Sequence, residues 1–340
     1  MRDVIGDALK SRSQTLIALL LAAGALLVAA PPAAAQPSAD QLLTDMGLSG
    51  DDKQRVLNGE FVTAEVGAVS DRDLAFAIAF LVKTSPEALS KMIVAGELIT
   101  SDAQVKAYGL INPPGKVEDF AKLQVSPKAA KALAGVKAGD AVNLSTSEIT
   151  AFAPLAGGSQ QAVQQQVQRM LFARYQAYRA GGLDGIAPYD RGGSTSDLAA
   201  DLKKAGQAAT GLKKYMPSFH AVLLDYPKAT VPGMRENFYW ARSDIQGKET
   251  YVLTHILVAS DGPARAVVQR QYYASTGYNG QQAVAGFLPV QGGTVVVYAA
   301  HAFTDQVAGF GGSMKRGVGK RIMAEQMKKI FDAGRTKADK

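Results

Sequence analysis

The segment after Pro232 constrains the fold more than any other part of the chain. It contains five apolar or alternating runs, separated by the short breaks "QGKE", "SDGP" and "VQGG". Such runs between tight turns are typical of an antiparallel meander. The predicted strands are 236–245, 250–260, 264–276, 282–290 and 293–303. Because a helical pattern over 311–333 follows them, we expect a sheet with one long helix packed on it.

A second group of elements lies nearer the N-terminus. Residues 73–84, "DLAFAIAFLVKT", fit either a strand buried on both faces or a helix, because periodicity alone does not decide between them. The helix that follows is better defined, since Ser85 suits an N-cap and Pro86 suits the first turn. We also predict a strand within 60–68 and two serine-capped helices within 36–58, so that 60–100 holds the first strands and a helix.

The middle of the chain, 101–234, is predicted to be a mostly helical insertion. Its clearest helix is 159–182, which ends at two glycines. The predicted inner stripe of that helix consists of Val163, Val167, Met170, Leu171, Arg174 and Tyr178. We further predict a short strand at 141–144 and a loop over 183–197.

Residues 1–35 have the layout of a secretory signal peptide. A weakly basic start precedes an uncharged apolar run over 16–30, and small residues at 33–35 suit a peptidase. A membrane anchor is the alternative, but the run is shorter than the ~20 residues that a spanning helix needs. We therefore expect cleavage after Ala35 and a periplasmic or secreted protein. The rest is predicted to be one α+β domain over 36–333, whose part 235–333 holds the meander and the last helix, followed by a basic tail over 334–340.

Positive charge is concentrated at the C-terminus. Residues 310–340 contain nine basic and three acidic residues, a net +6, while the whole chain carries +7. A patch of this kind suggests an anionic lipid surface as partner, and a solvated helix face is the plain alternative. The candidate membrane-contact residues are Lys315, Arg316, Lys320 and Arg321. Nucleic acid is not expected as a partner, because the basic segment lacks interleaved aromatic residues.

Motifs for known chemistries are missing from the sequence. The chain has no cysteine, no Gly-x-Ser-x-Gly, and three histidines that are not at metal-binding spacing. The glycine-rich stretch before the last helix fails as a phosphate loop, since Met314 and Arg321 stand where glycine and Ser or Thr are needed. We therefore predict no cofactor, no metal site and no catalytic residue.

Candidate ligand-binding residues are aromatic, histidine and methionine side chains of the C-terminal part. Aromatic residues concentrate there, and His255 shares a predicted strand face with apolar neighbours. Each of them fits ordinary core packing as well as contact with a ligand. The methionines lie on the apolar side of the last helix and would be adaptable lining for a cavity. The candidates are Tyr239, Trp240, His255, Tyr272, Met323 and Met327.

Two resemblances follow from these elements. The order of strand, Ser-Pro-Glu helix, antiparallel strands and long terminal helix is similar to the START-like (SRPBCC) helix-grip superfamily, which implies a hydrophobic cavity between sheet and helix. The segments "YQAYRAGGL", "PYDRG", "DYPKATVPG", "FYWARS", "THILV" and "QYYAS" resemble an uncharacterised family of exported bacterial proteins. Thr276 and Gly277 stand where those relatives often carry histidine and tyrosine. This second resemblance implies a compartment and no activity.

Three functions are consistent with the sequence. The first is a non-catalytic periplasmic protein that binds a hydrophobic small molecule or lipid in a START-like cavity. The second is an envelope structural or protein-interaction module, and the third is an enzyme that acts on a hydrophobic substrate through a cavity histidine. An apolar cavity under the last helix would favour the first, and an exposed apolar patch on the insertion would favour the second.

Overall fold

The computed structural model describes residues 37–309 and 311–339, so the predicted signal peptide lies outside the described residues. The fold is α+β, as predicted, and its centre is an eight-stranded antiparallel sheet in the order β1-β2-β10-β9-β8-β7-β6-β3. The strands of this sheet are β1 (Val62–Ala64), β2 (Asp73–Val82), β3 (Val105–Ile111), β6 (Arg235–Ile245), β7 (Lys248–Asp261), β8 (Ala264–Ala274), β9 (Gly280–Val290) and β10 (Gly293–Phe303). A separate hairpin consists of β4 (Tyr189–Asp190) and β5 (Thr195–Ser196).

Helices cover both faces of the sheet and one of its edges. They are α1 (Ala39–Asp45), α2 (Gly50–Leu57), α3 (Pro86–Val94), α4 (Pro127–Ala134), α5 (Thr146–Phe152), α6 (Gln160–Gly181), α7 (Leu198–Gln207), α8 (Thr210–Tyr215), α9 (Pro217–Asp225) and α10 (Gly312–Ala338). None of these helices, within the described part of the chain, has both the length and the apolar character needed to cross a membrane.

The predicted meander is confirmed. Strands β6 to β10 follow one another directly, and each pairs with the next along the chain. Positive φ angles at Gly247 (74°) and Gly292 (91°) allow the tight turns between β6 and β7 and between β9 and β10. The turns therefore alternate between the two ends of the sheet.

The ambiguous segment 73–84 is a strand. β2 pairs along its length with β10, from Asp73 opposite Phe303 to Val82 opposite Thr294. Its apolar residues point both ways because both faces of the strand are covered. Phe76 and Phe80 belong to the core under α10, while Ala79 belongs to the core under α1 and α2.

Strand β3 lies inside the segment that was predicted to be helical. It pairs with β6, with Ile111 opposite Phe238, and forms one edge of the sheet. Conversely, the prediction of a short strand at 141–144 is wrong, because those residues form an irregular segment. The backbone N–H of Asn143 in that segment donates to the carbonyl of Ser275, 2.8 Å away.

Apart from β3 and the β4–β5 hairpin, the regular structure of the insertion is helical, in agreement with the prediction of a mostly helical segment. It packs on one face of the sheet, here called the insertion face. The predicted inner stripe of α6 is confirmed, since all six of its members are buried. They join a core that includes Trp240, Leu253 and Tyr272 from the sheet. The predicted serine N-cap at Ser85 is also confirmed, since its hydroxyl accepts a hydrogen bond from the N–H of Ala88.

The other face of the sheet, here called the α10 face, is covered by α3 and α10. Helix α10 runs alongside β2: its early residue Gly319 lies against Leu74, and its late residue Phe331 packs on Phe80 with 5.1 Å between ring centroids. The helix continues to Ala338, so most of the predicted basic tail is helical. Gly309 and Gly311 have positive φ angles, 76° and 72°, and form the turn that leads into α10.

Candidate functional site

A cavity of about 750 Å³ lies between the α10 face of the sheet and helices α3 and α10. Its floor consists of side chains from β2 and β6 to β10, and its roof consists of α10. The volume is within the range of about 300–1,000 Å³ that is usual for small-molecule sites. It exists because α10 touches the sheet mainly along β2, which leaves the middle strands uncovered.

The end of the cavity beneath α3 is mostly apolar, although Arg335 of α10 also borders it. Phe80, Phe287 and Val296 provide its floor, and Leu89 of α3 closes it. Phe331 of α10 packs against Phe80 and also against Tyr298, whose ring centroid is 4.8 Å away. We call this part the closed end.

Three glutamines line the middle of the cavity floor. Gln269 and Gln271 are two positions apart on β8 and therefore point to the same face, and Gln281 stands opposite Gln271 on β9. All three are half-buried and belong to a floor that is otherwise mostly apolar. We call Gln269, Gln271 and Gln281 the glutamine band.

Tyrosine hydroxyls accompany the glutamine band. Tyr278 donates to the side-chain oxygen of Gln271 (2.7 Å), while the hydroxyls of Tyr239 and Tyr298 lie 3.3 Å from the amide nitrogens of Gln269 and Gln281. Burial raises the pKa of all three tyrosines. These phenols therefore remain neutral hydrogen-bonding groups at physiological pH.

The solvent-exposed lining residues gather at the opposite end of the cavity, which we call the mouth. They come from the β6–β7 turn, from the segment after β10 and from the first turns of α10. They are Gln246, Gln306, Met314, Lys315, Val318 and Ile322. The Gln306 amide donates to the carbonyl of Gly277 (3.0 Å), which joins the segment between β10 and α10 to the β8–β9 turn.

Charged side chains are few in the lining. Lys315 is exposed at the mouth, and Arg335 donates outward to the carbonyl of Gly59. Asp102, which precedes β3, accepts from the N–H of Gln104 (2.9 Å), and burial raises the pKa of its carboxyl. Its charge is also one of the smaller causes, after burial, of the raised pKa of Tyr239 and Tyr278. Asp102 is therefore the only acidic residue in the described lining, and its charge acts on two of the three tyrosines that accompany the glutamine band.

The predicted ligand residues are divided between the two faces of the sheet. Tyr239, Met323 and Met327 line the cavity. Trp240, His255 and Tyr272 belong to the core on the insertion face and do not reach it. The separation of Tyr239 from Trp240 follows from strand geometry, because successive side chains point to opposite faces. A ligand in the cavity could touch only the first three.

The three residues on the insertion face have partners within the protein. The indole nitrogen of Trp240 donates to the carbonyl of Asp119 (2.8 Å), and the ring of Tyr272 stacks on that of Tyr178 at 4.0 Å. His255 is fully buried and lies between the hydroxyl of Tyr178 and the carboxylate of Glu236, each 3.0 Å away. Its position is that of a satisfied core histidine.

The predicted membrane-contact residues differ in their surroundings. Lys315 and Arg321 are exposed, and Lys320 is half-buried. Arg316 instead donates to the backbone carbonyl of Asp71 (3.0 Å), which fastens the start of α10 to the loop before β2. Of these four cations, Lys315 and Arg321 are therefore the two with exposed side chains.

Sequence reasoning missed the glutamine band and the apolar residues of the mouth. The signal was present in "VVQRQYY", where two glutamines share one side of a strand with Val267. Polar residues spaced by two on one face of an otherwise apolar strand indicate a polar strip on that face. Only the position of α10 shows that this strip faces a cavity.

Within residues 37–309 and 311–339, no group of three or more His, Asp or Glu side chains is placed to hold a metal ion. Comparison of the chain with models of known protein families, with curated proteins and with solved structures gave no match.

Proposed function

We propose that the protein binds a hydrophobic small molecule or lipid in the cavity beneath α10. The cavity itself is the observation that supports this function, because about 750 Å³ of mainly apolar space would be costly to leave to water. The arrangement of an antiparallel sheet, a terminal helix and a cavity between them also fits a START-like relationship. That relationship and membership of an exported bacterial family remain part of the proposal, as does a periplasmic location.

The two other functions have less support. An interaction module was expected to expose apolar residues on the insertion, and two residues of the insertion do so: Tyr108 and Leu110 on the edge strand β3 are each 38% exposed. The other large exposed apolar side chains of the described chain, Leu57, Met314, Val318 and Ile322, lie outside the insertion. Two partly exposed side chains are less than the contiguous patch that this function requires. An enzyme was expected to use a cavity histidine, and none of His220, His255 and His301 lines the described cavity.

Binding of Nile red, a neutral apolar dye, tests the proposal. Ala283 and Ala285 are buried floor residues, so the double variant Ala283→Phe/Ala285→Phe places two rings in the cavity. We expect it to weaken Nile red binding by at least about tenfold, which is a change of about 1.4 kcal/mol. Leu110→Ser, which removes an exposed apolar residue outside the cavity, should bind like wild type.

Two results decide the outcome. A folded double variant that binds the dye as tightly as wild type would reject the cavity as the binding site. Native mass spectrometry of the protein purified from its own host should show added mass that disappears after organic extraction. A wild-type protein that neither binds Nile red nor carries a ligand would reject the function.

A contact with an anionic lipid surface is supported by the mouth. Met314, Val318 and Ile322 follow one another at intervals of four residues on α10, and their exposed fractions are 79%, 47% and 54%. Lys315 and Arg321 flank this apolar stripe. Exposed apolar residues bordered by cations are suited to the boundary between lipid headgroups and acyl chains. We propose that the ligand exchanges with a membrane through this end.

Vesicle sedimentation tests the membrane contact. Lys315→Gln/Arg321→Gln should weaken binding to vesicles of phosphatidylcholine with phosphatidylglycerol, most clearly at low salt. Lys328→Gln/Lys329→Gln is the matched control, since it removes the same charge from an exposed part of α10 away from the mouth. Equal loss in both variants would indicate general charge attraction and contradict a contact at the mouth.

A further inference from the structure

The two ends of the cavity differ in polarity. Its closed end offers Phe80, Leu89, Phe287 and other apolar side chains, while hydrogen-bonding groups lie between the middle of the floor and the mouth. A ligand that is apolar throughout would fill the closed end well. It would, however, remove water from the glutamine band without replacing the hydrogen bonds, which is unfavourable for each amide.

The glutamine band has unused hydrogen-bonding capacity. Gln271 accepts from Tyr278 through its oxygen, and its amide nitrogen has no partner among the described residues. Gln281 is the reverse case, since its nitrogen lies 3.3 Å from the hydroxyl of Tyr298 and its oxygen has no partner in the same part of the chain. Because these two residues stand opposite each other on β8 and β9, one donor and one acceptor are available side by side.

The charges around the band argue against an anionic ligand group. No Lys, Arg or His lies on the floor of the described cavity, and Lys315 and Arg335 occupy its two ends. A carboxylate placed at the glutamine band would lose its hydration without meeting a cation. It would also share this space with the carboxyl of Asp102, whose charge acts on Tyr239 and Tyr278.

We infer that the ligand is a long apolar molecule with a neutral hydrogen-bonding group, such as a hydroxyl or a carbonyl, which lies against Gln271 and Gln281. Its hydrocarbon part occupies the closed end beneath α3 and Phe331, so the molecule enters with the hydrocarbon part first. This inference rests on the proposed function and names the chemical class of its ligand. It separates neutral lipids, such as long-chain alcohols and amides, from free fatty acids and from phospholipid headgroups.

Competition with Nile red tests this inference. The competitors are oleyl alcohol, oleamide, oleate and oleylamine, which share one hydrocarbon chain and differ in the head group. At neutral pH we expect the alcohol and the amide to displace the dye at concentrations at least about tenfold below that of oleate. Oleate that competes as well as the alcohol would overturn the inference, while Nile red binding by wild type would leave the proposed function intact.

Two variants connect this preference to the glutamine band. Gln271→Leu/Gln281→Leu preserves side-chain size and removes the polar groups, so it should weaken competition by oleyl alcohol. The concentrations of alcohol and oleate that displace the dye should then differ by no more than about threefold. Gln161→Leu/Gln165→Leu, on the exposed side of α6, is the matched control and should keep the wild-type preference. An unchanged preference in the cavity variant would overturn the assignment to Gln271 and Gln281.

Gln271→Glu keeps the shape of the side chain and serves if the leucine variant does not fold. The added carboxyl should strengthen competition by oleylamine and weaken competition by oleate, each by at least about threefold relative to wild type. A Gln271→Glu protein in which neither oleylamine nor oleate changes its competing concentration relative to wild type would overturn the inference, because the head group of the ligand would then lie away from Gln271.

Discussion

The hydroxyl of Tyr178 lies 3.0 Å from Nδ1 of His255, on the face of the sheet opposite the cavity. On the other side of the imidazole, Nε2 lies 3.0 Å from the carboxylate of Glu236, which only accepts hydrogen bonds. In the neutral ring Nε2 therefore carries the proton, and Nδ1 accepts from Tyr178. Arg270, which is also buried, donates to the same Tyr178 hydroxyl at 3.1 Å. A buried chain of hydrogen bonds thus connects Arg270 to Glu236.

The first prediction concerns the pH dependence of stability. Burial lowers the pKa of His255 from 6.5 to about 4, an effect that outweighs the neighbouring Glu236. The unfolded chain therefore binds a proton between these values that the folded protein does not. The free energy of unfolding should fall as the pH is lowered from 6.5 towards 4, by up to about 1.4 kcal/mol for each pH unit.

Urea unfolding of wild type and His255→Gln between pH 7.5 and 4.5 measures this effect. The variant should have the flatter pH dependence, because glutamine does not titrate and the titratable groups other than Glu236 keep their surroundings. Glu236 also contributes little in this range, since its hydrogen bond to His255 lowers the pKa of its carboxyl. Parallel curves for the two proteins would contradict a neutral buried His255.

The second prediction compares the contributions of the hydroxyls of two stacked tyrosines to stability. Tyr178→Phe leaves Nδ1 of His255 and one nitrogen of Arg270 without a partner, so it should lower the free energy of unfolding by about 1–3 kcal/mol. The hydroxyl of Tyr272 has no partner among the described residues, so Tyr272→Phe should change stability by less than about 0.5 kcal/mol. Neither should alter Nile red binding in the folded protein, and a selective loss of binding would place the ligand on this face.

The third prediction concerns how α10 docks. Phe331 packs on Phe80 and Tyr298, so Phe331→Ala should cost about 2–4 kcal/mol. Ile322, by contrast, is 54% exposed because it lies over the mouth and not on the sheet. Ile322→Ala should therefore stay within about 0.5 kcal/mol of wild type. Similar losses of melting temperature in both would contradict this difference along the helix.

The fourth prediction tests the edge strand β3. Gly109 stands opposite Trp240, and a Cβ at this position would lie 2.6 Å from the indole nitrogen. Because Trp240 is fully buried and bonded to Asp119, Gly109→Ala should lower the free energy of unfolding by about 1–3 kcal/mol. Tyr108→Ala, at the exposed neighbouring position, should have a much smaller effect in the same denaturation experiment.

The fifth prediction concerns processing. If residues 1–35 are a signal peptide, N-terminal sequencing of the exported protein should begin at Gln36. Retention of these residues would contradict cleavage after Ala35 and favour the alternative of an anchor.

Local features of the sequence were sufficient for most elements. Serine caps such as Ser85, the glycine-rich turns and the alternation within β6 to β10 act over a few residues, so their structures follow from short stretches of chain. Strand β3 was not predicted, because Gly109 interrupts the alternation of apolar and polar residues that would indicate a strand. Its stability depends on Trp240, which is more than 100 positions away in the sequence.

The division of side chains between the two faces was decided by tertiary structure alone. Strand periodicity places Tyr239 and Trp240 on opposite faces, but it does not say which face receives α10 and which receives the insertion. The same holds for His255, whose partner Tyr178 comes from a distant helix, and for Gln271 and Gln281, which could equally have faced solvent. The sequence by itself therefore determined most of the strands and helices, but not strand β3 or the choice between strand and helix at 73–84. The packing of α10 along β2 decided that a cavity exists and which residues line it, because an uncovered area between two packed layers depends on contacts that no short stretch of sequence contains.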